Sequence, residues 1–229
     1  MSFKKRIIAV IGGTGKQGYG LALRWAAAGH KIIVGSRDAT RAQEAATEIA
    51  ERADSSNVTG AENVAAAGAA EIVVLAVPFA SQEATLAPLK EAVSGKLVID
   101  VTAPLVPPKV GTVQLPEGGS AVLNAQRVLG DEAQLVAAFQ NIAAQHLANL
   151  EHDIDCDVLV CGNKKAMRKI VIALAADAGM TGWHAGPLAN AVAAEAMTAV
   201  LISINRAHGI PGSGIRITGA PTEKDGSNP

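Results

Sequence analysis

One short unit near the start of the chain, from Ile7 to Arg37, constrains the fold more than any other stretch. Five apolar residues (Ile7–Ile11) precede a glycine-rich turn. A segment with apolar residues at helical spacing (Gln17–Ala28) follows, and a second apolar run begins at Lys31. A strand, a tight turn, a helix and a second strand in this order predict the opening half of a doubly wound α/β sheet.

The same alternation continues along the chain. Its apolar runs do not alternate with polar residues, which indicates strands covered on both faces, as in a parallel sheet. The predicted strands are Ile7–Ile11, Lys31–Val34, Glu71–Val77, Leu97–Val101, Leu135–Phe139 and Val158–Cys161. The predicted helices are Gln17–Ala28, Thr40–Arg52, Gln82–Ala92 and Lys164–Ala178. We therefore predict an α/β fold with a doubly wound, mostly parallel sheet.

The C-terminal third adds a long apolar helix between Pro187 and Gly209, because Pro is favoured in the first helical turn and Gly just after the last. The helix is apolar nearly all round, so we expect it to be buried by the domain, by a partner subunit or by both. Before it, the Pro- and Gly-rich segment Thr102–Gly119 is typical of a lid or binding loop. After it, the polar tail Gly219–Pro229 is expected to fray.

The glycine-rich turn predicts a site for a dinucleotide. Gly13-Thr14-Gly15-Lys16-Gln17-Gly18 has the G-x-G-x-x-G spacing, directly after a strand and before a helix. Glycines allow the tight turn and the close approach of a pyrophosphate, and the helix N-terminus attracts its charge. The alternative is a turn with packing glycines only. A magnesium-binding P-loop is excluded, because Gln17 stands where Ser or Thr would be required.

The end of the second strand indicates which dinucleotide binds. An NAD site places Asp or Glu there to bind the ribose hydroxyls, but this chain has Ser36 and Arg37, with Arg41 one helical turn later. A guanidinium binds a 2′-phosphate through two hydrogen bonds, and a serine hydroxyl adds a donor. Asp38 comes one residue too late for the ribose. We therefore predict NADP(H) as the cofactor, with Arg37 as a mere surface charge as the alternative.

Composition argues against several classes of partner. The chain has 20 basic and 21 acidic residues and a net charge of −1, so it lacks the charge expected for binding nucleic acid or an anionic membrane. We expect no apolar stretch as long as the roughly 20 residues that span a bilayer, and therefore no membrane partner. Two cysteines, Cys156 and Cys161, do not suggest a disulfide framework, which predicts a cytoplasmic protein.

The residues of the common dehydrogenase mechanisms are missing. Tyr19 is the only tyrosine, and Leu23 stands four residues later, where a short-chain dehydrogenase has a lysine. No lysine lies between Pro187 and Gly209, and the five histidines form no metal-ligand pairs at helical spacing. Hydride transfer between two carrier rings needs proximity, alignment and exclusion of water rather than an acid or base. We therefore predict no metal and no catalytic side chain.

These residues resemble one family, the NADPH:coenzyme F420 oxidoreductases, or deazaflavin-dependent NADP reductases. The matching segments are GGTGKQGYGLALRWAAAGHKIIVGSR, IVVLAVPF (Ile72–Phe79), CDVLVCG (Cys156–Gly162), AGPLANA (Ala185–Ala191) and GIRI (Gly214–Ile217). The resemblance implies a Rossmann fold and a reversible hydride transfer between NADPH and coenzyme F420, both small-molecule redox carriers.

The resemblance also implies the positions of both ligands. In such a family the glycine turn binds the pyrophosphate; its residues here are Gly13, Thr14, Gly15, Lys16 and Gln17. Ser36, Arg37 and Arg41 bind the 2′-phosphate, and Val77-Pro78 lie beside the nicotinamide ribose. The deazaflavin ring is expected next to Gln140 and Ile142 and next to the turn Gly186, Pro187 and Leu188.

Gln140 departs from the family pattern, which has a histidine there. Glutamine can donate a hydrogen bond to a ring carbonyl but cannot carry charge. Two alternatives therefore stay open: an NADP-dependent reductase of another flavin or of a small carbonyl or imine, and a non-enzymatic NADP-binding regulatory protein. An apolar groove beside Gln140, Ile142 and Pro187 would favour an enzyme.

We divide the chain into an NADP-binding Rossmann-type domain, residues 1–184, and a C-terminal helical segment, residues 185–229. The C-terminal segment is expected to complete the second-substrate site. We also expect it to contribute the contact of a homodimer, since large apolar faces usually bind a partner.

Overall fold

A single sheet of eight strands organises the computed structural model, which describes residues 4–219. The expected fraying beyond Gly219 lies outside the described residues. The strands are β1 Ile7–Ile11, β2 Lys31–Ser36, β3 Val58–Glu62, β4 Ile72–Leu75, β5 Leu97–Asp100, β6 Gln134–Ala137, β7 Val158–Gly162 and β8 Gly182–His184. Their order across the sheet is β3-β2-β1-β4-β5-β6-β7-β8. The doubly wound, mostly parallel sheet is thus confirmed.

Helices cover the sheet. They are α1 Lys16–Ala27, α2 Ala39–Arg52, α3 Asn63–Ala69, α4 Gln82–Leu86, α5 Lys90–Val93, α6 Ala121–Leu129, α7 Ala144–Leu147, α8 Lys165–Asp177 and α9 Ala191–His208. The predicted helix Gln82–Ala92 is interrupted by a 3₁₀ turn, Ala87–Leu89, which contains Pro88. Proline lacks the backbone N–H that a continuous helix would require. Of the long segment Thr102–Gly119, no part is helix or strand.

All six predicted strands are present, but the sequence did not reveal β3 and β8. β3 is only partly buried, and β8 has three residues of which none is fully buried, so neither has the apolar run that marks the others. The direction of β7 also differs from the strands before it. It pairs antiparallel to β6, with Val136 opposite Gly162, whereas the other pairs of neighbouring strands are parallel.

The core lies on both faces of the sheet, as the continuous apolar strands predict. Successive residues of β1 alternate between two clusters: Ile8 and Val10 belong to the one that holds Trp25 and Phe139, and Ala9 and Ile11 to the other. The rings of Trp25 and Phe139 pack edge to face, with centroids 5.7 Å apart. Both faces are therefore covered within the chain.

The chain covers α9 along one side only. Ala191, Ala194, Glu195, Ala199 and Leu201 are its buried residues. Met197, Val200 and Ile204 lie on the uncovered side, each between 37% and 39% exposed. The rest of the domain therefore buries one face of this helix, and the other face stays uncovered in a single chain.

The span Leu188–His208 corrects one sequence expectation. It has 21 residues and is long and apolar enough, by length and composition, to cross a membrane. Helices of globular proteins pass the same test, and although only 33% of this apolar window is buried, one side of the helix lies inside the chain with a carboxylate, Glu195. We therefore treat α9 as a helix of the fold.

A buried arginine fixes the segment after β6 against α1. Arg24 is 8% exposed, and its guanidinium donates to carbonyl oxygens at distances from 2.7 to 3.2 Å. The acceptors are His146, Leu147, Asn149, His152 and Ala178. Removal of the guanidinium would take this donor from all five carbonyls at once, although those of His146 and Asn149 would keep backbone donors. Arg24 therefore holds the end of α7 and the residues after it against the last turn of α1.

Candidate functional site

The turn after β1 lies where the sheet order reverses, because β1 has β2 on one side and β4 on the other. Gly12 has φ +80°, and a Cβ atom there would come within 2.6 Å of the Ala76 carbonyl oxygen at the end of β4. At Gly13 a Cβ would meet Val10 O at 2.8 Å and Val34 Cγ1 at 3.0 Å. The G-x-G-x-x-G motif does not include Gly12, and the sequence marks this residue only by its position next to Gly13.

The other two glycines set the position of α1. Gly15 precedes the first helical residue, and a Cβ there would meet only Gly12 O, at 3.3 Å, so its outer side is open. A Cβ at Gly18 would lie 2.6 Å from Gly12 O, so only glycine lets α1 approach the turn this closely. The first turn of α1 contains no acidic residue. Its free N–H groups therefore provide an anion-binding helix end.

A cleft of about 330 Å³ lies along this turn. We call it the nucleotide cleft; its lining residues are Gly12, Thr14, Gly15, Ser36, Arg37, Asp38, Arg41, Asn63, Ala76, Val77, Pro78, Ser81 and Thr85. Seven of the ten predicted cofactor residues are among them. Gly13 lies buried beneath the turn, and Lys16 and Gln17 line a neighbouring groove instead.

One end of the nucleotide cleft is positively charged. Arg37 and Arg41 are exposed, and within residues 4–219 no carboxylate lies within 4 Å of either guanidinium. The Asp38 carboxylate caps α2, accepting hydrogen bonds from the backbone N–H groups of Thr40 at 2.9 Å and Arg41 at 3.2 Å. Asp38 is therefore bound to the helix, and the two arginines are available to an anion.

A second, apolar groove of about 580 Å³ adjoins the nucleotide cleft. We call it the apolar groove. Its lining residues are Gly15, Lys16, Gln17, Ala76, Val77, Pro78, Phe79, Ala80, Val101, Thr102, Ala103, Leu105, Pro107, Val110, Gln140, Ile142, Ala143, Thr198 and Ile202. Four of these residues, Gly15, Ala76, Val77 and Pro78, line the nucleotide cleft as well. A flat apolar ligand in the groove would therefore meet a nucleotide at the end of β4.

Gln140 lies in this groove within a firmly held turn. Its side-chain Nε2 donates to the Asp100 carbonyl at 2.9 Å, and its own carbonyl accepts from Thr198 Oγ1 at 3.0 Å. The preceding Phe139 has φ +70°, and its carbonyl accepts from Gln17 Nε2 at 3.1 Å. An amide nitrogen carries two hydrogens, so Gln140 keeps one for a ligand.

Gly186, Pro187 and Leu188 do not line this groove in a single chain, and their place beside the deazaflavin stays a prediction. Because β7 and β8 run antiparallel to β6, with Gly162 opposite Val136, the chain leaves both strands in the direction away from the nucleotide cleft. There the Gly186 carbonyl accepts from Gly162 N at 3.0 Å, and Leu188 is buried in the core. Two residues of α9, Thr198 and Ile202, line the apolar groove instead.

Two buried carboxylates hold the ends of the loop that forms one wall of the groove. Asp100 is fully buried and accepts from Thr102 N at 2.9 Å and from Gln82 Nε2 at 2.7 Å. Glu195 of α9, 1% exposed, accepts from Ala121 N at 2.6 Å and Val122 N at 3.1 Å. Burial raises the pKa of Asp100 to about 6 and that of Glu195 to about 7. Sequence reasoning missed both, although an acid inside an apolar run was the available signal.

Comparison with known proteins agrees with this geometry. A family profile described as NADP oxidoreductase, coenzyme F420-dependent, matches residues 7–104. An F420-dependent NADP reductase of Methanothermobacter marburgensis is 43% identical over 223 residues, covering 93% of this chain and 99% of that protein. Another, of Methanothermobacter thermautotrophicus, is 39% identical over 224 residues, covering 95% of this chain and 97% of that protein. The chain belongs to the F420-dependent NADP reductase family.

A solved structure described as a putative F420-dependent NADP reductase from Arthrobacter sp. FB24 supports this assignment. It superposes with a TM-score of 0.76 at 26% identity, covering 94% of this chain and all of that one. The profile match of the reductase family, residues 7–104, includes the glycine turn, Arg37, Arg41 and the shared end of β4, but not Gln140 or α9. The match therefore covers the nucleotide cleft fully and the apolar groove only in part.

The exposed guanidinium of Arg37 yields a first test of the reductase's cleft. Arg37→Ala should weaken NADPH binding about tenfold, because a hydrogen bond to a charged phosphate contributes about 1.5–3 kcal/mol and water screens part of it. NADH binding should hardly change. Titration of both nucleotides measures this, with Lys31→Ala, at the other end of β2, as a control for lost charge. Equal losses for NADPH and NADH would contradict this role of Arg37.

The buried carboxylate of Glu195 yields a second test. Its folded pKa of about 7 lies above its ordinary value of 4.5, so the folded state binds the proton more tightly. The stability that this group contributes is present below about pH 4.5 and is lost as pH rises through 7. We expect it to lower the free energy of unfolding by roughly 3 kcal/mol across that range.

Glu195→Gln should flatten this part of the dependence in denaturation curves recorded from pH 5 to 8. Asp100 contributes a slope of the same sign, and its charge helps to raise the pKa of Glu195, so the difference between the two proteins reports Glu195 together with this coupling. Glu91→Gln, at an exposed acid of α5, should leave the slope unchanged. An identical slope in Glu195→Gln and the unsubstituted chain would refute the shifted pKa.

Proposed function

We propose that this protein transfers hydride reversibly between NADP(H) and the deazaflavin coenzyme F420. The observation that carries the proposal is the junction of the two cavities. An apolar groove large enough for a ring system opens onto the nucleotide cleft at Ala76, Val77 and Pro78. The curated relatives, identical at 39% and 43% of positions, are named F420-dependent NADP reductases.

The nucleotide cleft fits NADP(H). The N-terminus of α1 and the backbone around Gly13, Thr14 and Gly15 would bind the pyrophosphate, since no side chain lies above Gly15. Ser36, Arg37 and Arg41 would bind the 2′-phosphate, and no carboxylate among residues 4–219 competes for the two guanidinium groups. Val77 and Pro78 would then border the nicotinamide end, because they line both cavities.

The apolar groove fits the deazaflavin ring. Ile142, Val101, Leu105 and Ile202 supply apolar surface, and the free amide hydrogen of Gln140 supplies a donor for a ring oxygen. When bound, the nicotinamide and the deazaflavin supply the hydride donor and acceptor themselves. The residues of the chain align the two rings and exclude water, and we propose that no side chain acts as a catalytic acid or base.

The C-terminal segment, residues 185–229, is proposed to complete the second-substrate site beside a Rossmann-type domain of residues 1–184. Thr198 and Ile202, both on α9, support this division because they line the groove. Gly186, Pro187 and Leu188 precede α9 and do not line the groove in one chain, so they add no support to this division.

We propose that the uncovered face of α9 binds a second copy of the chain and forms a homodimer. Met197, Val200 and Ile204 lie on this face. The segment Thr102–Gly119, which forms one wall of the groove, also exposes Val106, Val113 and Leu115. Met197→Glu should convert dimers to monomers in sedimentation velocity runs, whereas Val64→Glu, at an exposed position of α3, should not. Dimers that persist in Met197→Glu would contradict this interface.

Two other functions remain as alternatives. Reduction of another flavin, or of a small carbonyl or imine, is favoured by Gln140, which lacks charge and uses one of its amide hydrogens on Asp100. A regulatory protein without a second substrate is less favoured, because the apolar groove is open beside the nucleotide cleft.

We also propose a reducing, cytoplasmic location. Cys156 and Cys161 are free and buried, and burial raises the pKa of the Cys161 thiol to about 11. A thiol with so high a pKa forms little thiolate and reacts slowly.

Mixing the purified protein with NADPH and oxidised F420 tests the activity directly. We expect the deazaflavin absorbance to fall as NADPH is oxidised, and to return when NADP⁺ is supplied in excess. Replacement of F420 by FMN, or by a small imine, tests the alternative substrates, and replacement of NADPH by NADH tests the cofactor. NADPH binding without any turnover of F420 would refute the proposed reaction.

A further inference from the structure

Lys16 does not line the nucleotide cleft, although it lies within the glycine motif. It starts α1 and lines the apolar groove. It also lines a second depression of about 580 Å³, which we call the outer pocket. The lining residues of the outer pocket are Thr14, Lys16, Tyr19, Glu48, Ala143, Ala144, Gln145, Ala148 and Pro211. Lys16 and Ala143 are common to the groove and the outer pocket, so the two cavities meet there.

The ammonium group of Lys16 is available to a ligand. The residue is exposed, and within the described part of the chain no carboxylate lies within 4 Å of its Nζ. Glu48 is the one acid that lines the outer pocket, and it is already partnered. Its carboxylate accepts from Tyr19 Oη at 2.6 Å and lies 3.9 Å from an Arg52 nitrogen.

Lys16 is also the one charged residue among those that line the apolar groove. Away from Lys16 the wall is formed by Leu105, Pro107 and Val110, which cannot bind an anion. Charge therefore distinguishes the two ends of the groove. A ligand with an apolar ring and an anionic extension would bind with the ring in the groove and the extension toward Lys16.

Coenzyme F420 has this chemistry, because its deazaflavin ring carries a ribityl chain followed by a phosphodiester and glutamate carboxylates. We propose that this anionic tail leaves the apolar groove past Lys16 and lies in the outer pocket, with the Lys16 ammonium bound to the phosphodiester. The inference rests on the proposed function. It reassigns Lys16 from the NADP pyrophosphate to the second substrate.

Fluorescence titration with two deazaflavins tests the proposal without turnover. One ligand is oxidised F420, and the other is the same ring truncated after the ribityl chain, which lacks phosphate and carboxylates. Lys16→Ala should weaken F420 binding about tenfold, as expected for the loss of one charge-assisted contact. Binding of the truncated ligand and of NADPH should stay within twofold. Lys16→Arg should retain most of the F420 affinity, and added salt should weaken F420 binding more in the unsubstituted protein than in Lys16→Ala.

Lys90→Ala serves as the charge-matched control, because Lys90 is exposed on α5 and lines neither the groove nor the outer pocket. It should leave all three affinities unchanged. Unaltered F420 affinity in Lys16→Ala, or an equal loss for the truncated ligand, would overturn the inference while leaving the proposed function intact. A loss confined to NADPH would return Lys16 to the pyrophosphate. Failure of the unsubstituted protein to bind either deazaflavin would overturn the proposed function itself, and with it this inference.

Discussion

The close approach of the glycine turn to the end of β4 is the contact on which both cavities depend. A Cβ on Gly12 would come within 2.6 Å of the Ala76 carbonyl oxygen, and a Cβ on Gly18 within 2.6 Å of the Gly12 carbonyl oxygen. These two contacts bring the N-terminus of α1 directly over the carboxyl end of β4. Any side chain at either position would lift the helix and separate the nucleotide cleft from the apolar groove, which share Gly15, Ala76, Val77 and Pro78.

The opposite wall of the groove depends on buried polar groups rather than on close packing. A segment of some twenty residues without helix or strand must be held from outside, since loops contribute few contacts of their own. Here Asp100 holds its beginning at Thr102, and Glu195 holds its end at Ala121. Ser203 of α9 donates to Gly111 in its middle. Because Glu195, Ser203, Thr198 and Ile202 all lie on α9, one helix fixes the loop and supplies part of the groove lining.

The sequence could predict the parts of the fold that local pattern determines. Continuous apolar runs marked six strands, and glycine spacing with Ser36 and Arg37 marked the nucleotide cleft, because each depends on neighbours in the chain. The direction of β7 could not be predicted in this way, since it depends on pairing with β6 across about twenty residues of intervening chain. Because of that single reversal, Gly186, Pro187 and Leu188 follow a strand that runs away from the nucleotide cleft. The next helix, α9, then runs back to the apolar groove, where its residues Thr198 and Ile202 form part of the lining.

Arg24 illustrates a second kind of limit. Its place in the sequence, on an Ala- and Leu-rich helix, suggests a surface charge, yet the structure buries it among five carbonyl oxygens. Burial lowers the pKa of the guanidinium, but arginine stays protonated because its pKa starts so high, and its planar group can serve several acceptors at once. The acceptors lie more than 120 residues away in the chain, so only the folded structure reveals them.

The distribution of charge around the two cavities explains how one site can hold two anionic carriers and still pass hydride between them. Cations lie at the outer ends, with Arg37 and Arg41 at the far end of the nucleotide cleft and Lys16 where the groove opens outward. Between them the shared residues are glycine, alanine, valine and proline, and the polar residues of the groove other than Lys16, among them Gln140, are neutral. Attraction to phosphates is strong at the ends, where water can remain. In the middle, an uncharged surface favours neither redox state of either ring by direct charge contact, which suits a transfer that must run in both directions.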